Sequence, residues 1–291
     1  MSKIALYDYD KTKFPNLALM KISTFHKQIG DEVEWYLPIM SKTYDKVYCS
    51  KVFTFTKFQK IIHNNVEYGG TGININSKLP EEIEIRKPDY DLYDNIDYSL
   101  GFLTRGCPNK CSWCIVPSKE GDIRVNSDIE DFLDHNKAVL MDNNVLAHEH
   151  GIKQIEKIIR LGIKVDFNQG LDARLIDDSV AKLLSNVKWL KCLRLACDNQ
   201  SQMKHVENAV RLLRWHNTRP AKFFIYCLVK DIPEALERVK FLKGLYLDPF
   251  AQPFIDFENN KMPSREQKQF SRWVNHKAIF GSVAWEDYNK K

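Results

Sequence analysis

Between residues 98 and 247 the sequence alternates short apolar runs with amphipathic stretches of helical period. The runs lie at 98–103, 138–141, 163–168, 192–196, 223–229 and 245–247, and each is the length of a strand. Most are separated by segments whose apolar residues recur every three to four positions, at 152–161, 177–184, 202–215 and 233–242. A helix between two strands lets the chain cross back and start the next strand in the same direction, so the pattern dictates a parallel sheet covered by helices. Six such units predict an α/β fold: a partial (β/α)6 barrel of the TIM type. In barrels of this kind reactive groups gather where strands end and loops begin. The sequence shows no long internal repeat and no low-complexity tract.

Residues 1–85 read as a separate, small Rossmann-like α/β unit. Apolar runs at 4–7 and 33–37 flank a helical pattern at 17–28 with Leu17, Met20, Ile22 and Phe25 on one face. Segments 44–50 and 52–56 are rich in β-branched and aromatic residues and predict two more strands. Gly69-Gly70-Thr71-Gly72 follows and allows either an anion-binding nest or a plain turn; no lysine stands where a P-loop needs one. A stretch with two prolines and many acids, 79–97, leads onward. The predicted organisation is residues 1–85, a barrel over 86–260, and a basic helical tail over 261–291.

Composition narrows the setting. The 291 residues include seven cysteines, an odd number, three of them within eight positions. That usage fits free thiols in a reducing cytoplasm better than a disulfide framework. No apolar run approaches the roughly 18 residues of a membrane span, and the first residues lack the apolar region of a signal peptide. Net charge is +5, and the tail alone carries seven basic against three acidic residues. Such a tail suits nucleic acid or an acidic partner, or is simply a solvated terminal helix.

The densest chemistry is in Gly101-Phe102-Leu103-Thr104-Arg105-Gly106-Cys107-Pro108-Asn109-Lys110-Cys111-Ser112-Trp113-Cys114. The spacing is C-x3-C-x2-C. Gly106 and Pro108 keep the start of the loop out of a regular helix, so the chain can wrap one object and aim three thiolates at it. Soft thiolates select an iron–sulfur cluster, zinc or Cu(I). A cubane cluster usually takes four cysteines, so three leave one iron open. Zinc wants a fourth Cys or His; His135, His148 and His150 are present but not at knuckle spacing. Arg105 and Lys110 stand close enough in sequence to offset negative charge.

This loop, read as C-x3-C-x-aromatic-C with Trp113 in the aromatic place, resembles the signature of the radical S-adenosylmethionine (SAM) superfamily. The resemblance covers roughly residues 98–254. It implies a [4Fe–4S] cluster on Cys107, Cys111 and Cys114, with SAM chelating the open iron and Trp113 near the adenine. It further implies a one-electron reductant such as a flavodoxin or ferredoxin, and reductive cleavage of SAM to a 5′-deoxyadenosyl radical that abstracts a substrate hydrogen.

Strand alternation and this resemblance together nominate further SAM-binding residues. Asp142-Asn143-Asn144 stands where the family often has Gly-Gly-Glu, which meets the SAM amino group; the wording differs, with Asp142 as an acceptor or a loop cap. Asp166 and Asn168 share a face, followed by Gln169, Asp172 and Arg174, a polar cluster suited to a ligand or to capping. Arg194 shares a face with Ala196 and Asp198. Its planar fork can clamp the SAM carboxylate or pair with Asp166 or Asp198. Tyr226 lines the cavity or packs in the core. Cys49, Cys192, Cys197 and Cys227 are scattered singly, as small buried hydrophobes would be.

The first unit resembles, in placement, a cobalamin-binding domain. The family's Asp-x-His-x-x-Gly loop is replaced by Asp8-Tyr9-Asp10-Lys11-Thr12-Lys13, which implies a degenerate domain without histidine-bound cobalamin. RNA methylthiotransferases have a similar layout but place three more cysteines in the first domain, where this chain has only Cys49. The expected protein is a cytoplasmic radical SAM enzyme. Trp273, Trp285 and Tyr288 in the basic tail favour RNA as substrate, with peptides and metabolites open. A non-catalytic iron–sulfur electron-transfer protein and a zinc-dependent nucleic-acid-binding module are the alternatives.

Overall fold

A computed structural model describes residues 1–256, 259 and 261–288. Lys290 and Lys291 of the basic tail lie outside the described residues. The chain forms two compact units, residues 1–101 with 130–135, and residues 102–129 with 136–291.

In the first unit, β1 (Lys3–Asp8), β2 (Glu32–Trp35), β3 (Lys46–Ser50) and β4 (Val66–Gly69) form one parallel sheet in the order β2-β1-β3-β4. Helix α1 (Leu17–Gln28) starts at Asn16, whose side chain accepts from the Leu19 amide at 3.3 Å. It buries Leu19 and Ile22 against Ile4, Leu6 and Tyr48. Each such fully buried side chain stabilises by roughly 1.5–3 kcal/mol. The opposite face of the sheet packs Ala5, Val47, Cys49 and Tyr44. At the end of α1, His26 bridges Asp31 and the Tyr48 hydroxyl at 2.8 and 3.1 Å, which ties the helix to the sheet.

Two expectations change here. Residues 52–56, read as a strand, form a loop. The Asp10 carboxylate accepts from the amides of Val52 and Phe53, at 2.5 and 3.4 Å, and from the Thr56 hydroxyl. Amides held by a carboxylate are withdrawn from any ladder. The fourth strand is instead Val66–Gly69, which the sequence reading passed over. The glycine run after it is a close-packed turn. Gly72 donates to the Lys51 carbonyl at 2.9 Å, and a Cβ at Gly70 (φ +97°) would run into that same carbonyl.

The second unit contains β5 (Lys137–Leu140), α2 (Glu149–Leu161), β6 (Lys164–Phe167), α3 (Asp178–Leu184), β7 (Leu193–Ala196), α4 (Met203–Trp215), β8 (Phe223–Val229), α5 (Ile232–Gly244) and β9 (Asp248–Pro253). β5 pairs with β6, β7 with β8, and β8 with β9, all parallel. A short strand, Lys188–Trp189, precedes β7 and pairs Lys188 with Lys164. Farther along, Leu195 bridges Leu171, with the Leu171 amide donating to the Arg194 carbonyl at 2.8 Å. Both pairings carry the same offset, so Lys188 and Leu195 keep one register against residues 164–171. The fold is thus mixed α/β with parallel sheets, and the strands form no closed barrel among the described residues.

The last strand was expected at 245–247 and lies at Asp248–Pro253. Two prolines argue against a central strand, because proline cannot donate to a ladder. β9 tolerates them as the edge of its sheet. Pro249, Ala251 and Pro253 alternate onto the outer side, where Asn275 accepts from the Ala251 amide at 2.8 Å and donates to its carbonyl at 2.9 Å. The edge is thereby closed to further pairing.

The tail is helical, as read: α6 (Arg265–Asn275), α7 (Lys277–Ser282) and a last turn at Trp285–Tyr288. Its aromatic residues are core, however. Trp273 and Trp285 are 2% and 6% exposed and interlock with Phe270 and Phe280. Among the described residues no helix is long and apolar enough to cross a membrane.

Candidate functional site

The cysteine loop hangs from a two-residue antiparallel ladder in which Thr104 and Arg105 pair with Val125 and Arg124. Gly106 (φ +83°) then turns the chain so closely that a Cβ there would collide with the Asp122 carbonyl. The Cys107 amide donates to the Gly121 carbonyl at 3.2 Å, and the Cys114 amide closes a turn on the Cys111 carbonyl at 3.0 Å. These local bonds, dictated by the Gly106 and Gly121 turns, bring the three cysteines to one place.

Cys107, Cys111 and Cys114 line one open cavity of about 220 Å³, together with Trp113. The opposing wall comes from the strand ends, and its polar groups are Asn143 and Asn144 after β5, Asp172 and Arg174 after β6, and Asp198 after β7, set among Leu171, Ala173 and Ala196. Gln202 and His205, at the start of α4, complete it. The reading that chemistry collects where the strands end thus describes where this cavity lies.

Asp172 is the hub of the wall. Its carboxylate accepts from Asn109 and Asn144, each at 3.1 Å, and from Arg174 Nε and Nη2 at 2.8 and 2.7 Å. Burial pushes the Asp172 carboxyl up, but the Arg174 bonds and charge outweigh it and hold the group below its usual range. Asn144 also points its amide at the Cys107 sulfur, 3.6 Å away. Burial raises the Cys111 thiol, and the Arg174 charge offsets part of that rise. Arg174 is thus a cation close enough to act on the Cys111 thiol. Arg105, expected in that role, stacks over Phe102 and pairs with Glu120 at 3.0 Å.

Of the four residues nominated for SAM, Trp113 lines the cavity, and Asp142, Asn168 and Arg194 stand outside its wall. Asp142, 3% exposed, accepts from the Leu103 amide at 3.2 Å and from the Thr104 amide and hydroxyl at 2.5 and 2.7 Å. It holds the backbone that leads into the cysteine loop, the capping alternative of its sequence reading. Burial raises its pKa to about 6. Asn168 gives its backbone carbonyl to the Tyr226 hydroxyl at 2.9 Å. Arg194 pairs with Asp166 and reaches Tyr226 at 3.1 Å, the structural alternative raised for it.

Two groups escaped the sequence reading. Asp198 was noted as a face-mate of Arg194 and a candidate partner for it, not as part of the cavity wall. Its carboxylate accepts from the Leu228 amide at 3.0 Å, and burial pushes its carboxyl up. Arg238 of α5 is fully buried and donates to the carbonyls of Cys197 and Leu228 at 2.6 and 2.7 Å. It clamps the strand ends that carry Asp198. Its signal was an arginine on the apolar face of a helix, in line with Ala235 and Leu242. Of the histidines considered for zinc, His148 caps α2, His150 meets the Ser127 carbonyl at 2.9 Å, and His135 belongs to the first unit, where it packs edge-on against the Tyr90 ring. Among the described residues no group of three or more His, Cys, Asp or Glu is set to hold a metal ion. A polynuclear cluster asks something different of its ligands, since each thiolate binds its own iron rather than a common point.

Fold and site together define a mixed α/β protein whose parallel strand ends face a three-cysteine loop. No protein-family model matches the chain, and no curated protein matches it in sequence. Among solved structures it is similar to SuiB of Streptococcus suis, with a TM-score of 0.44 and 12% identity over 65% of this chain and 48% of SuiB. The chain thus spans about half of SuiB's length, and an overlap this loose carries no argument about the site.

Proposed function

We propose that this chain is a radical SAM enzyme in which Cys107, Cys111 and Cys114 hold a [4Fe–4S] cluster and SAM binds beside Trp113. The observation that supports the reading is that all three thiols of one C-x3-C-x2-C loop line a single cavity with an aromatic ring and the polar groups of the opposing wall. The donor set fits such a cluster. Three soft thiolates leave one iron open, and the Asn144 amide and Arg174 guanidinium beside the sulfurs suit the negative charge of thiolate-bound iron.

When bound, the cluster supplies one electron to SAM, whose cleavage gives methionine and a 5′-deoxyadenosyl radical. Trp113 offers the adenine a stacking face. Asp198 is the acceptor for the SAM amino group in place of Asp142, and Asn144 and Arg174 are the donors in place of Asn168 and Arg194. Asp142 and the Asp166–Arg194 pair act as positioning residues beneath them. In this reading the second unit is the partial (β/α)6 barrel, the first is a degenerate cobalamin-type domain, and a cytoplasmic flavodoxin or ferredoxin supplies electrons.

The test is anaerobic reconstitution of the full chain with iron and sulfide. Iron and acid-labile sulfide should both bind, the EPR signal of the reduced protein should change on adding SAM, and dithionite should yield 5′-deoxyadenosine. An EPR signal indifferent to SAM would point to the electron-transfer alternative. Zinc without sulfide, or full turnover by the triple Cys→Ala chain, would overturn the proposal.

A further inference from the structure

We propose that the loops at the carboxyl ends of β1 and β3 form a docking surface for single-stranded RNA, a binding function separate from the cysteine site. The sheet order β2-β1-β3-β4 reverses between β1 and β3, and open α/β sheets bind ligands outside the strand ends at such a reversal. Here Asp10 closes the crevice by holding Val52, Phe53 and Thr56. The chain after β3 is therefore displayed outward.

What it displays is aromatic. Phe53, Phe55 and Phe58 are 41%, 70% and 44% exposed. The rings of Phe53 and Phe55 stack with centroids 5.1 Å apart and planes 14° from parallel. Neighbouring exposed rings of this kind mark an interaction site rather than ordinary surface. Phe58 is also held in place. Phe58 packs between Tyr9 and Tyr68, at 5.2 and 5.4 Å. The Tyr9 hydroxyl donates to the Gln59 carbonyl, and Tyr68 accepts from the Ile61 amide at 2.9 Å. Pre-ordered rings lose little entropy on binding.

Charge identifies the occupant. Residues 51–66 contain three lysines and no Asp or Glu. The Lys51 ammonium is engaged by the carbonyls of Thr54 and Gly72. Lys57 and Lys60 are exposed and make no ion pair among the described residues, and Lys11 and Lys13 flank them on the loop after β1. The acid of this surface, Asp10, is already taken up by three donors. Rings for bases and ammonium groups for phosphates are the two parts of a single-strand platform. The exposed Thr54 hydroxyl and Gln59 amide make no hydrogen bond among the described residues and suit the ribose 2′-hydroxyl, which favours RNA over DNA.

Fluorescence anisotropy of the full chain with a labelled RNA of roughly 15 nucleotides tests this. The double variant Phe53→Ala/Phe55→Ala should bind about tenfold more weakly or worse, and Phe53→Tyr/Phe55→Tyr should keep its affinity. Lys57→Ala/Lys60→Ala should flatten the slope of log affinity against log salt by about 1.4. Circular dichroism should match across all four proteins. The triple Cys→Ala chain should bind RNA as the parent does, which separates this surface from the cluster. Unchanged affinity in both Ala double variants, equal or tighter binding of the matching DNA strand, or Phe55-dependent capture by phosphatidylglycerol vesicles would each overturn it.

Discussion

Arg194 meets Asp166 fork to fork, Nε to Oδ1 and Nη2 to Oδ2, each at 2.7 Å. The remaining arm of the guanidinium donates to Tyr226, whose hydroxyl donates onward to the Asn168 carbonyl, and the Phe224 ring lies 5.0 Å away. Three parallel strands are therefore cross-linked beside the cavity, β6 through Asp166, β7 through Arg194 and β8 through Tyr226. The pair is nearly enclosed, at 14% and 6% side-chain exposure. Its charges are matched to each other, which leaves the guanidinium no free fork for a ligand carboxylate.

Removing one half of that pair strands the other. Arg194→Met leaves a buried carboxylate without its cation, at a cost of about 3–5 kcal/mol. Arg194→Lys recovers only part of this, since one ammonium cannot reproduce two parallel bonds. The double variant Asp166→Leu/Arg194→Met should be more stable than Arg194→Met alone. Urea unfolding followed by circular dichroism reads all three. A single Met variant as stable as the parent would show that the pair contributes nothing.

Asp142 should make stability depend on pH in an unusual direction for a carboxylate. Burial raises its folded pKa to about 6 from an ordinary 3.8, so the folded chain holds this proton more tightly than the unfolded one. The contribution is fully present below pH 3.8 and is lost as pH rises through 6. At about 1.4 kcal/mol per unit, the loss is about 3 kcal/mol. Asp142→Asn removes the proton, so its stability relative to the parent should climb across that window and level off above it. A carbon-13 titration of the Asp142 carboxyl with a midpoint near 4 would refute the shift.

How much of this was visible in the sequence follows from the range of each interaction. The cysteine loop was readable because its geometry is local, set by Gly106 and by spacing within eight residues. Face alternation groups Asp166 with Asn168, and Arg194 with Asp198, because period two is fixed by backbone sterics. It could not choose among partners on neighbouring strands. Arg194 found Asp166 through the register between two strands, which sequence does not print. Asp142 was placed at the right strand end, yet its carboxylate serves Leu103 and Thr104, some 38 residues away. Residues 52–56 have the composition of a strand and lost that role to Asp10, a competitor 42 positions earlier. The tail was rightly read as helical; that Trp273 and Trp285 are core rather than display depends on tertiary packing.

The seven thiols should separate by reactivity in the native, metal-free chain. Cys49, Cys192, Cys197 and Cys227 are buried, and burial pushes Cys49 and Cys197 up to about 12 and raises Cys192 and Cys227 as well. Burial raises the Cys111 and Cys114 thiols as well, but Cys107 and Cys111 are only half-buried and Cys114 is exposed, so access separates these three from the other four. Only thiolate attacks a disulfide reagent, and only where the reagent can reach. Ellman's reagent at pH 8 should therefore modify three thiols quickly and the other four only on unfolding. Mass spectrometry of the fast fraction should find Cys107, Cys111 and Cys114. Fast modification of Cys197 or Cys227 would contradict the packing of β7 and β8.

Asp172 should govern the order of the cysteine loop without belonging to it. One carboxylate gathers Asn109 from the loop, Asn144 from the end of β5 and Arg174 from its own turn. Asp172→Ala frees all three, leaves Arg174 without its partner and removes the tether between the loop and the strand ends. Local opening then becomes cheaper while the sheet stays intact. Trypsin should cut after Lys110, an exposed loop residue, about tenfold faster in this variant, a loss of about 1.4 kcal/mol of local stability. Asp172→Asn keeps an acceptor for one amide but loses the charge that holds Arg174, so it should fall between. Cleavage after Lys110 at the parental rate in both variants would mean that the loop is held by its own turns alone.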